Sequence, residues 1–110
     1  MFARRVIFKL KPFALLEFGA AFVDRVIPML KRQKGFQDEI VLVIPGATDV
    51  MAISFWDTME DGENWNNSRY HEVMSILRDF LKAEPRGHTF AVIHHSRQNA
   101  DPADPMVLAS

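Results

Sequence analysis

The chain has 110 residues, a length that suits one compact domain and leaves little room for a second. Hydrophobic residues make up 48% of it, charged residues 25%, and the net charge is −1, so neither a disordered chain nor the basic surface of a nucleic-acid binder is expected. The chain contains no cysteine, which excludes disulfides, thiolate metal sites and thiol nucleophiles. No run approaches the roughly 18–20 apolar residues of a membrane span, so we expect a soluble cytoplasmic protein without a membrane partner.

The first third of the chain predicts one strand followed by one long helix. Residues 3–11 (ARRVIFKLK) are β-branched and aromatic at their centre, as is typical of a strand. From residue 13 to residue 34, apolar side chains recur about every 3.6 residues, which indicates a helix. Because Pro28 lies inside that pattern and cannot donate a backbone hydrogen bond, we predict a kink between residues 24 and 28.

The remainder predicts a hairpin, a second helix and a last strand. Residues 39–44 (EIVLVI) and 50–56 (VMAISFW) read as two strands joined by a loop of about five residues. The acidic run DTMEDGEN favours a helix start, and we predict that helix over residues 60–83. A fourth strand is predicted over residues 88–95 (HTFAVIHH).

This order of elements predicts an α+β fold of the ferredoxin-like type. It is a split β-α-β arrangement, with a four-stranded antiparallel sheet and both helices on one face. We expect residues 1–96 to form this domain and residues 97–110 to form a C-terminal arm or flexible tail. The second and third strands are apolar on both faces, although two helices cover only one. The uncovered face is therefore expected to pack against the sheet of a second copy in a homodimer.

Three segments resemble the antibiotic biosynthesis monooxygenase-like family of dimeric α/β-barrel proteins. VIPMLKRQKGFQDEI resembles the P-x-L-(basic)-x-Q-x-G-F-x-D-E run of these barrels, and SFWDTMEDGENW resembles the family's join between third strand and second helix. WNNSRYHEVMSILRDFL follows its second helix, and TFAVIHH its last strand. The resemblance implies a dimeric α/β barrel. Similar proteins include cofactor-independent monooxygenases of activated aromatic polyketides, quinol oxygenases, haem-degrading enzymes and proteins with no established activity.

The resemblance also places individual residues. Trp56 matches a tryptophan at the strand end that is usually structural, and Trp65 falls where relatives carry an aromatic residue or histidine that reaches the cavity between helices and sheet. Haem-degrading relatives share an Asn on the first strand with a Trp and a His on the second helix. Here the first strand, RRVIFKL, has no Asn, and the spacing from Trp65 to His71 is shorter than in that arrangement. Both departures count against haem degradation.

The polar run WNNSRYH (65–71) is scattered around the second helix by its period. With Trp65 at zero and about 100° per residue, the apolar direction lies near 100°, where Asn66 falls. His71 falls at about 240°, on the polar arc, and is expected to be solvated. Trp65, Asn66 and Tyr70 are thus expected at the edge of a pocket, with Asn66 as a helix cap or a backbone-satisfied amide as the alternative.

Other polar residues have both functional and structural interpretations. His94 and His95 are neighbours on a predicted strand and point to opposite faces, so one could serve as a base in the cavity, or both could lie at a sheet edge or interface. Ser54, the polar residue of an apolar strand, lines the pocket or bonds to backbone. Arg4 and Arg5 also point to opposite faces and could pair with an anionic substrate or with an acid across a dimer. No spacing of histidines or carboxylates suggests a metal site.

The leading hypothesis is a homodimeric, cofactor-independent monooxygenase acting on an electron-rich aromatic or quinol-type small molecule, in which the substrate carbanion itself reduces oxygen. It requires no cofactor and no metal. The rivals are a non-catalytic ligand-binding or interaction dimer and a haem-binding or haem-degrading protein. The candidate catalytic residues are Asn66, Trp65, His94 and His95, and the candidate substrate-binding residues are Tyr70, Ser54 and His71.

Overall fold

The computed structural model describes residues 1–46 and 48–96. The predicted tail, residues 97–110, lies outside the described residues, as does Ala47 of the predicted hairpin loop. In chain order the elements are β1 (Phe2–Lys9), α1 (Leu15–Ala21), a π-helical turn (Phe22–Val26), α2 (Ile27–Lys31), β2 (Phe36–Val43), β3 (Asp49–Trp56), α3 (Met59–Leu77), a 3-10 turn (Arg78–Phe80) and β4 (Arg86–Ala91).

The four strands form one antiparallel sheet in the order β2-β3-β1-β4. This is the predicted ferredoxin-like arrangement, and it is confirmed. The alternation of β3 identifies the face that the helices cover, which we call the inner face. Its inner residues, Val50, Ala52, Ser54 and Trp56, are all buried, whereas the residues between them are half-buried. The other side of the sheet, the outer face, carries no helix in the part of the chain that the structure describes.

The core fills the space between the inner face and the helices. Phe8 of β1 packs against Phe18 and Phe22, with ring centroids 5.3 Å and 6.2 Å away. Trp56 is only 1% exposed and packs against Phe36, with centroids 5.6 Å apart. Aromatic rings bury large areas, so this cluster supplies much of the apolar stabilisation. The remaining buried core residues are Leu10, Val26, Leu30, Val50, Ala52, Met74, Leu77 and Leu81.

The predicted interruption of the first helix is a π-helical turn. The amide of Ile27 donates to the carbonyl of Phe22, five residues back, and Pro28 follows in the first turn of α2. Proline lacks the N–H that would continue the α-helical ladder, and the wider turn takes up the change. The wider turn also keeps apolar side chains directed towards the core. On an α-helix, residues four apart are rotated by about 40° relative to one another, so a run with this spacing would gradually turn away from the core. All four inward residues of this repeat are nevertheless buried, namely Phe18, Phe22, Val26 and Leu30.

The last strand is shorter than predicted. β4 ends at Ala91 rather than at His95, because its partner strand β1 begins at Phe2. The amide of Val92 donates to the carbonyl of Met1 at 3.0 Å, and beyond it the described chain offers no further partner backbone. The prediction that His94 and His95 lie within a strand is therefore wrong.

The second helix also ends earlier than predicted. α3 stops at Leu77, and the chain turns so that Leu81 forms a bridge with Leu10, just after β1. The amide of Lys82 donates to the carbonyl of Lys9 at 3.0 Å. These backbone contacts with the end of β1 outweigh the helical pattern, which continues to residue 83.

The outer face exposes apolar side chains. Ile40 and Leu42 of β2 are 39% and 49% exposed, and Phe90 of β4 is 47% exposed. The guanidinium of Arg5 lies over the ring of Phe90, 5.4 Å from its centre. No helix within residues 1–46 and 48–96 is both long enough and apolar enough to cross a membrane.

Candidate functional site

A cavity lies between the inner face of the sheet and the helices. Most of its wall is apolar, with Val6 from the sheet, Val26 from the π-helical turn and Val73 from α3 among the lining residues. A minority of the lining side chains carry polar atoms, and they come from β1, β2, β3 and α3. Such a cavity, apolar with a few convergent polar groups, is the usual form of a small-molecule site. The polar lining residues are Arg4, Glu39, Ser54, Trp65, Asn66 and Tyr70.

Four of the inner-face residues form a polar row straight across the sheet. Arg4 pairs with Thr89 of β4 on one side and with Ser54 of β3 on the other, and Ser54 pairs with Glu39 of β2. The next row towards the hairpin is apolar throughout, with Val6 opposite Ala52 at its centre. Polar side chains in a covered face carry a desolvation cost unless they have partners. A single polar row in an otherwise apolar face therefore marks this part of the sheet as a candidate functional site.

Arg4 is held by two uncharged side chains. Its guanidinium donates to Asn66 Oδ1 at 3.1 Å and to Thr89 Oγ1 at 3.3 Å. Burial lowers the pKa of Arg4, and the negative charge of Glu63 opposes that shift. A Cβ atom on Gly87 would lie 2.5 Å from Arg4 Nη2, so the absence of a side chain at Gly87 makes room for the guanidinium. Within the described residues no carboxylate forms an ion pair with Arg4. Its charge is thus available to an anion in the cavity.

Glu39 holds a buried carboxyl group in the same cavity. Its Oε2 atom is buried, and none of the described residues forms a hydrogen bond to it. Burial, with a smaller contribution from the neighbouring Asp38, raises the pKa of Glu39 to about 8. At neutral pH this carboxyl is therefore mostly protonated, and it ionises just above neutrality. A carboxyl with such a pKa, in a cavity and with an unbonded oxygen, is a candidate acid or base.

Sequence reasoning missed Glu39, and it left open which of Arg4 and Arg5 faces the cavity. The sequence pattern starts the second strand at Glu39, but the strand begins at Phe36 and places Glu39 inside the sheet. An irregularity between Phe36 and Asp38 shifts the register there. The available signal was the acid pair that closes the GFQDE run, because one of two adjacent residues in a strand must face the helices.

The three residues expected at the pocket edge all line the cavity. Trp65 packs on the buried Trp56 at a centroid distance of 6.3 Å, which fixes its indole at the cavity wall. Asn66 uses its carbonyl for Arg4, so the two N–H donors of its amide remain for another acceptor. The cap of α3 is Thr58, whose side chain accepts from the amide of Asp61. The alternative in which Asn66 caps the helix or bonds to backbone is therefore wrong.

Tyr70 contributes its ring to the cavity, and its hydroxyl is engaged elsewhere. The hydroxyl donates to Glu84 Oε2 at 2.5 Å, and this hydrogen bond raises the pKa of Tyr70. Tyr70 is thus a stacking surface rather than a proton donor for the site.

Ser54 combines its two predicted roles. It lines the cavity, while its hydroxyl accepts from Trp56 Nε1 at 2.8 Å and donates to the carbonyl of Arg4 at 3.5 Å. Since both bonds are made within the protein, Ser54 ties the core tryptophan to the polar row.

The three candidate histidines do not line the cavity. His71 is exposed on α3, as its helical phase indicates. His94 is exposed beyond the end of β4, and His95 packs its ring on Phe55 of the outer face, with centroids 5.2 Å apart. None of the three lines the cavity, so the expectation that His94 or His95 faces the cavity and acts as its base is wrong. The haem hypothesis therefore has no histidine among the described residues of this cavity to serve as an axial ligand.

Arg5 confirms the predicted alternation, because it lies on the outer face while Arg4 lies in the cavity. Across residues 1–46 and 48–96, no group of three histidine or carboxylate side chains could hold a metal ion.

Comparison with solved structures shows the same fold in oxygenases. A monooxygenase from the gene ActVA-Orf6 of Streptomyces coelicolor, solved with the ligand nanaomycin D, is 16% identical, with a TM-score of 0.73 over 86% of this chain and 88% of that chain. SnoaB, a cofactor-independent oxygenase from Streptomyces nogalater, is 18% identical, with a TM-score of 0.70 over 86% and 94%. A protein of unknown function from Nitrosomonas europaea is 16% identical, with a TM-score of 0.68 over 86% and 90%.

Comparison with curated protein sequences gives no significant match. The family model described as antibiotic biosynthesis monooxygenase matches residues 1–75, which include β1 to β3, most of α3 and all of the polar residues that line the cavity. This match covers more than half of the 110 residues. The chain therefore belongs to the antibiotic biosynthesis monooxygenase family.

Proposed function

We propose that this protein is a cofactor-independent monooxygenase that oxidises a small aromatic or quinol-type molecule in the cavity. The observation that carries the proposal is the Arg4–Asn66 pair at the polar part of an apolar cavity. Family membership supports the reaction class, and two proteins of the same fold are oxygenases by description. The aromatic walls, Trp65 and Tyr70, support a flat substrate.

In the proposed reaction the protein stabilises a substrate anion, and that anion reduces oxygen. Arg4 and the amide of Asn66 donate hydrogen bonds to a substrate oxygen on which negative charge develops, as donors do in an oxyanion site. An activated methylene group and one molecule of oxygen give a ketone and one molecule of water. One oxygen atom enters the product, the other leaves as water, and the four electrons come from the substrate. The apolar wall strengthens these electrostatic contacts by excluding water.

An oxygen electrode tests this proposal with a panel of anthrone-type and hydroquinone substrates. We expect wild-type protein to consume oxygen with at least one of them, and Asn66→Ala to lose about 100-fold in kcat/KM. Trp65→Phe should raise KM, because a smaller ring stacks less well. The matched control is Asn67→Ala, an exposed neighbour on the same helix, which should leave the rate unchanged. No uptake across the panel by a well-folded protein would instead favour the ligand-binding alternative.

We further propose that the protein works as a homodimer through the outer faces of two sheets. The support is the exposed apolar surface around Ile40, Leu42 and Phe90, which two helices per chain cannot cover. Light scattering should give twice the 12.6 kDa chain mass. Leu42→Glu should shift the protein towards monomer, whereas Val23→Glu, an exposed apolar position on the π-helical turn, should not. A 12.6 kDa wild-type species at micromolar concentration would contradict the dimer.

A further inference from the structure

We propose that Glu39 is the proton acceptor of this site, and that the substrate bridges the sheet from Arg4 on β1 to Glu39 on β2. The inference rests on the proposed function and adds to it a catalytic base.

The first argument is the separation of the two charged groups in the polar row. Arg4 and Glu39 both face the cavity, with Ser54 between them, so their strands are two sheet spacings apart, about 10 Å. They form no ion pair with each other. Ser54 does not link them, because its hydroxyl is used by Trp56 and by the backbone of Arg4. A substrate that accepts from Arg4 and gives a proton to Glu39 must therefore reach across β3, the strand that lies between them.

The second argument is that no other described side chain in the cavity is suited to accept the proton. Among the described residues that line the cavity, Glu39 is the one with a carboxylate or imidazole side chain. The hydroxyl of Tyr70 is bonded to Glu84, and the histidines lie elsewhere. Glu39 Oε2 is buried without a hydrogen bond from any described residue. A buried acceptor without a hydrogen-bond partner destabilises the folded protein, and a role in accepting the substrate's proton explains why such an acceptor is present.

The third argument is electrostatic. Asp38 on β2 opposes ionisation of Glu39, Arg4 faces the cavity from β1, and Glu63 and Tyr70 are the titratable groups on α3 near the polar row. The π-helical turn and α2 contribute only apolar side chains to the cavity, those of Phe22, Val26 and Leu30. With a pKa raised to about 8, the carboxyl is closer to the pKa of a weak carbon acid than an ordinary glutamate is. A base whose pKa lies near the working pH serves proton transfer best.

The proton and electron balance closes on these groups. Ionised Glu39 takes a proton from the substrate C–H, and the C–H electron pair stays on the substrate as an enolate whose oxygen accepts from Arg4 and Asn66. The enolate carbon forms a C–O bond to molecular oxygen, and neutral Glu39 returns its proton to the distal peroxide oxygen. Glu39, ionised again, takes the second C–H proton, and the C–H electron pair forms the C=O bond as the O–O bond breaks. The distal oxygen leaves as hydroxide and takes that proton from Glu39, which gives the ketone and water.

Deuterium exchange separates this proposal from the oxygenase reaction. Under anaerobic conditions in heavy water, wild-type protein should replace the acidic hydrogen of a bound anthrone-type substrate with deuterium, and mass spectrometry measures the rate. The Glu39→Gln variant should slow this exchange at least about 100-fold. Glu39→Asp should restore part of the rate, and quenching of tryptophan fluorescence should show that Glu39→Gln still binds the substrate. Exchange without oxygen uptake would support Glu39 as the base while contradicting the oxygenase function.

The pH dependence provides the second readout. In wild type the exchange rate should rise with pH to a plateau, with its midpoint near 8, the pKa of Glu39. Asp38→Asn removes a charge that opposes ionisation and should move this midpoint to lower pH, whereas a midpoint set by the substrate would not move. Rapid exchange in Glu39→Gln, no exchange in wild type with any bound substrate, or an unchanged midpoint in Asp38→Asn would each overturn the proposal.

Discussion

The two faces of the sheet use neighbouring arginines for opposite purposes. Arg4 points into the cavity, where two uncharged side chains hold it and no described carboxylate forms an ion pair with it. Arg5 points to the outer face and stacks on Phe90, with its Nε atom buried and unbonded within the described residues. Strand alternation alone separates them. The residue type therefore says little about function here; what matters is which layer covers the side chain.

The largest effect is expected when the same substitution is made at each of these two arginines. Arg4→Met should lower kcat/KM for oxygen uptake by about 100- to 1,000-fold, because the cavity loses its positive charge. Arg5→Met, the matched change one residue away, should leave kcat/KM nearly unchanged and act on the dimer, measured by light scattering. Equal losses of activity in the two variants would contradict the assignment of the inner face as the site.

The next effect concerns the stability cost of Glu39. Its pKa is raised on folding from 4.5 to about 8, so the folded state binds the extra proton between those values. The stabilisation of the folded state by this bound proton is fully present below pH 4.5 and is lost as the pH rises through 8. At about pH 9 we expect Glu39→Gln to be more stable than wild type by about 2–4 kcal/mol, and near equality at about pH 4. Urea unfolding at the two pH values measures this, and a difference independent of pH would contradict it.

A smaller effect is expected where the polar row meets the core. Ser54→Ala removes the acceptor of the buried Trp56 indole N–H, which is then left unsatisfied. The expected cost is about 1–3 kcal/mol in the free energy of unfolding. Ser75→Ala, at an exposed position on α3, is the control and should change it little. If urea unfolding shows the same small change for both, the Ser54–Trp56 bond does not support the row.

The smallest effect tests the position of the Arg4 guanidinium. In Gly87→Ala the new Cβ would meet Arg4 Nη2 at 2.5 Å, and the flexible guanidinium, rather than the backbone, should move. We expect about a tenfold loss in kcat/KM, the equivalent of about 1.4 kcal/mol, with the melting temperature nearly unchanged. Gly19→Ala, where a Cβ meets nothing within 4 Å, should leave the activity as it is. Full activity in Gly87→Ala would show that the position of the guanidinium is not critical.

Local patterns in the sequence predict part of this site and miss the rest for a physical reason. The helical period places Asn66 towards the sheet and His71 towards solvent, and both positions are observed. The meeting of Arg4, Ser54 and Glu39 depends on the register of three strands that are far apart in the sequence. No local pattern encodes that register, so the row becomes visible only with the sheet.

The element boundaries divide in the same way. The order of strands and helices follows from local periodicity and is predicted correctly, as is an interruption of the first helix near Pro28. The end of β4 depends instead on where β1 begins, because a strand lasts only as long as its partner. That tertiary limit is why the sequence pattern misplaces His94 and His95.

A crystal structure with a bound hydroxyanthraquinone, a flat product-like ligand that oxygen does not consume, tests the central claim most directly. We predict the rings in the inner-face cavity against Trp65, with one oxygen within hydrogen-bond distance of Arg4 and Asn66 and the opposite edge at Glu39. A ligand seated on the outer face, or in the cavity without contact to Arg4, would contradict the account.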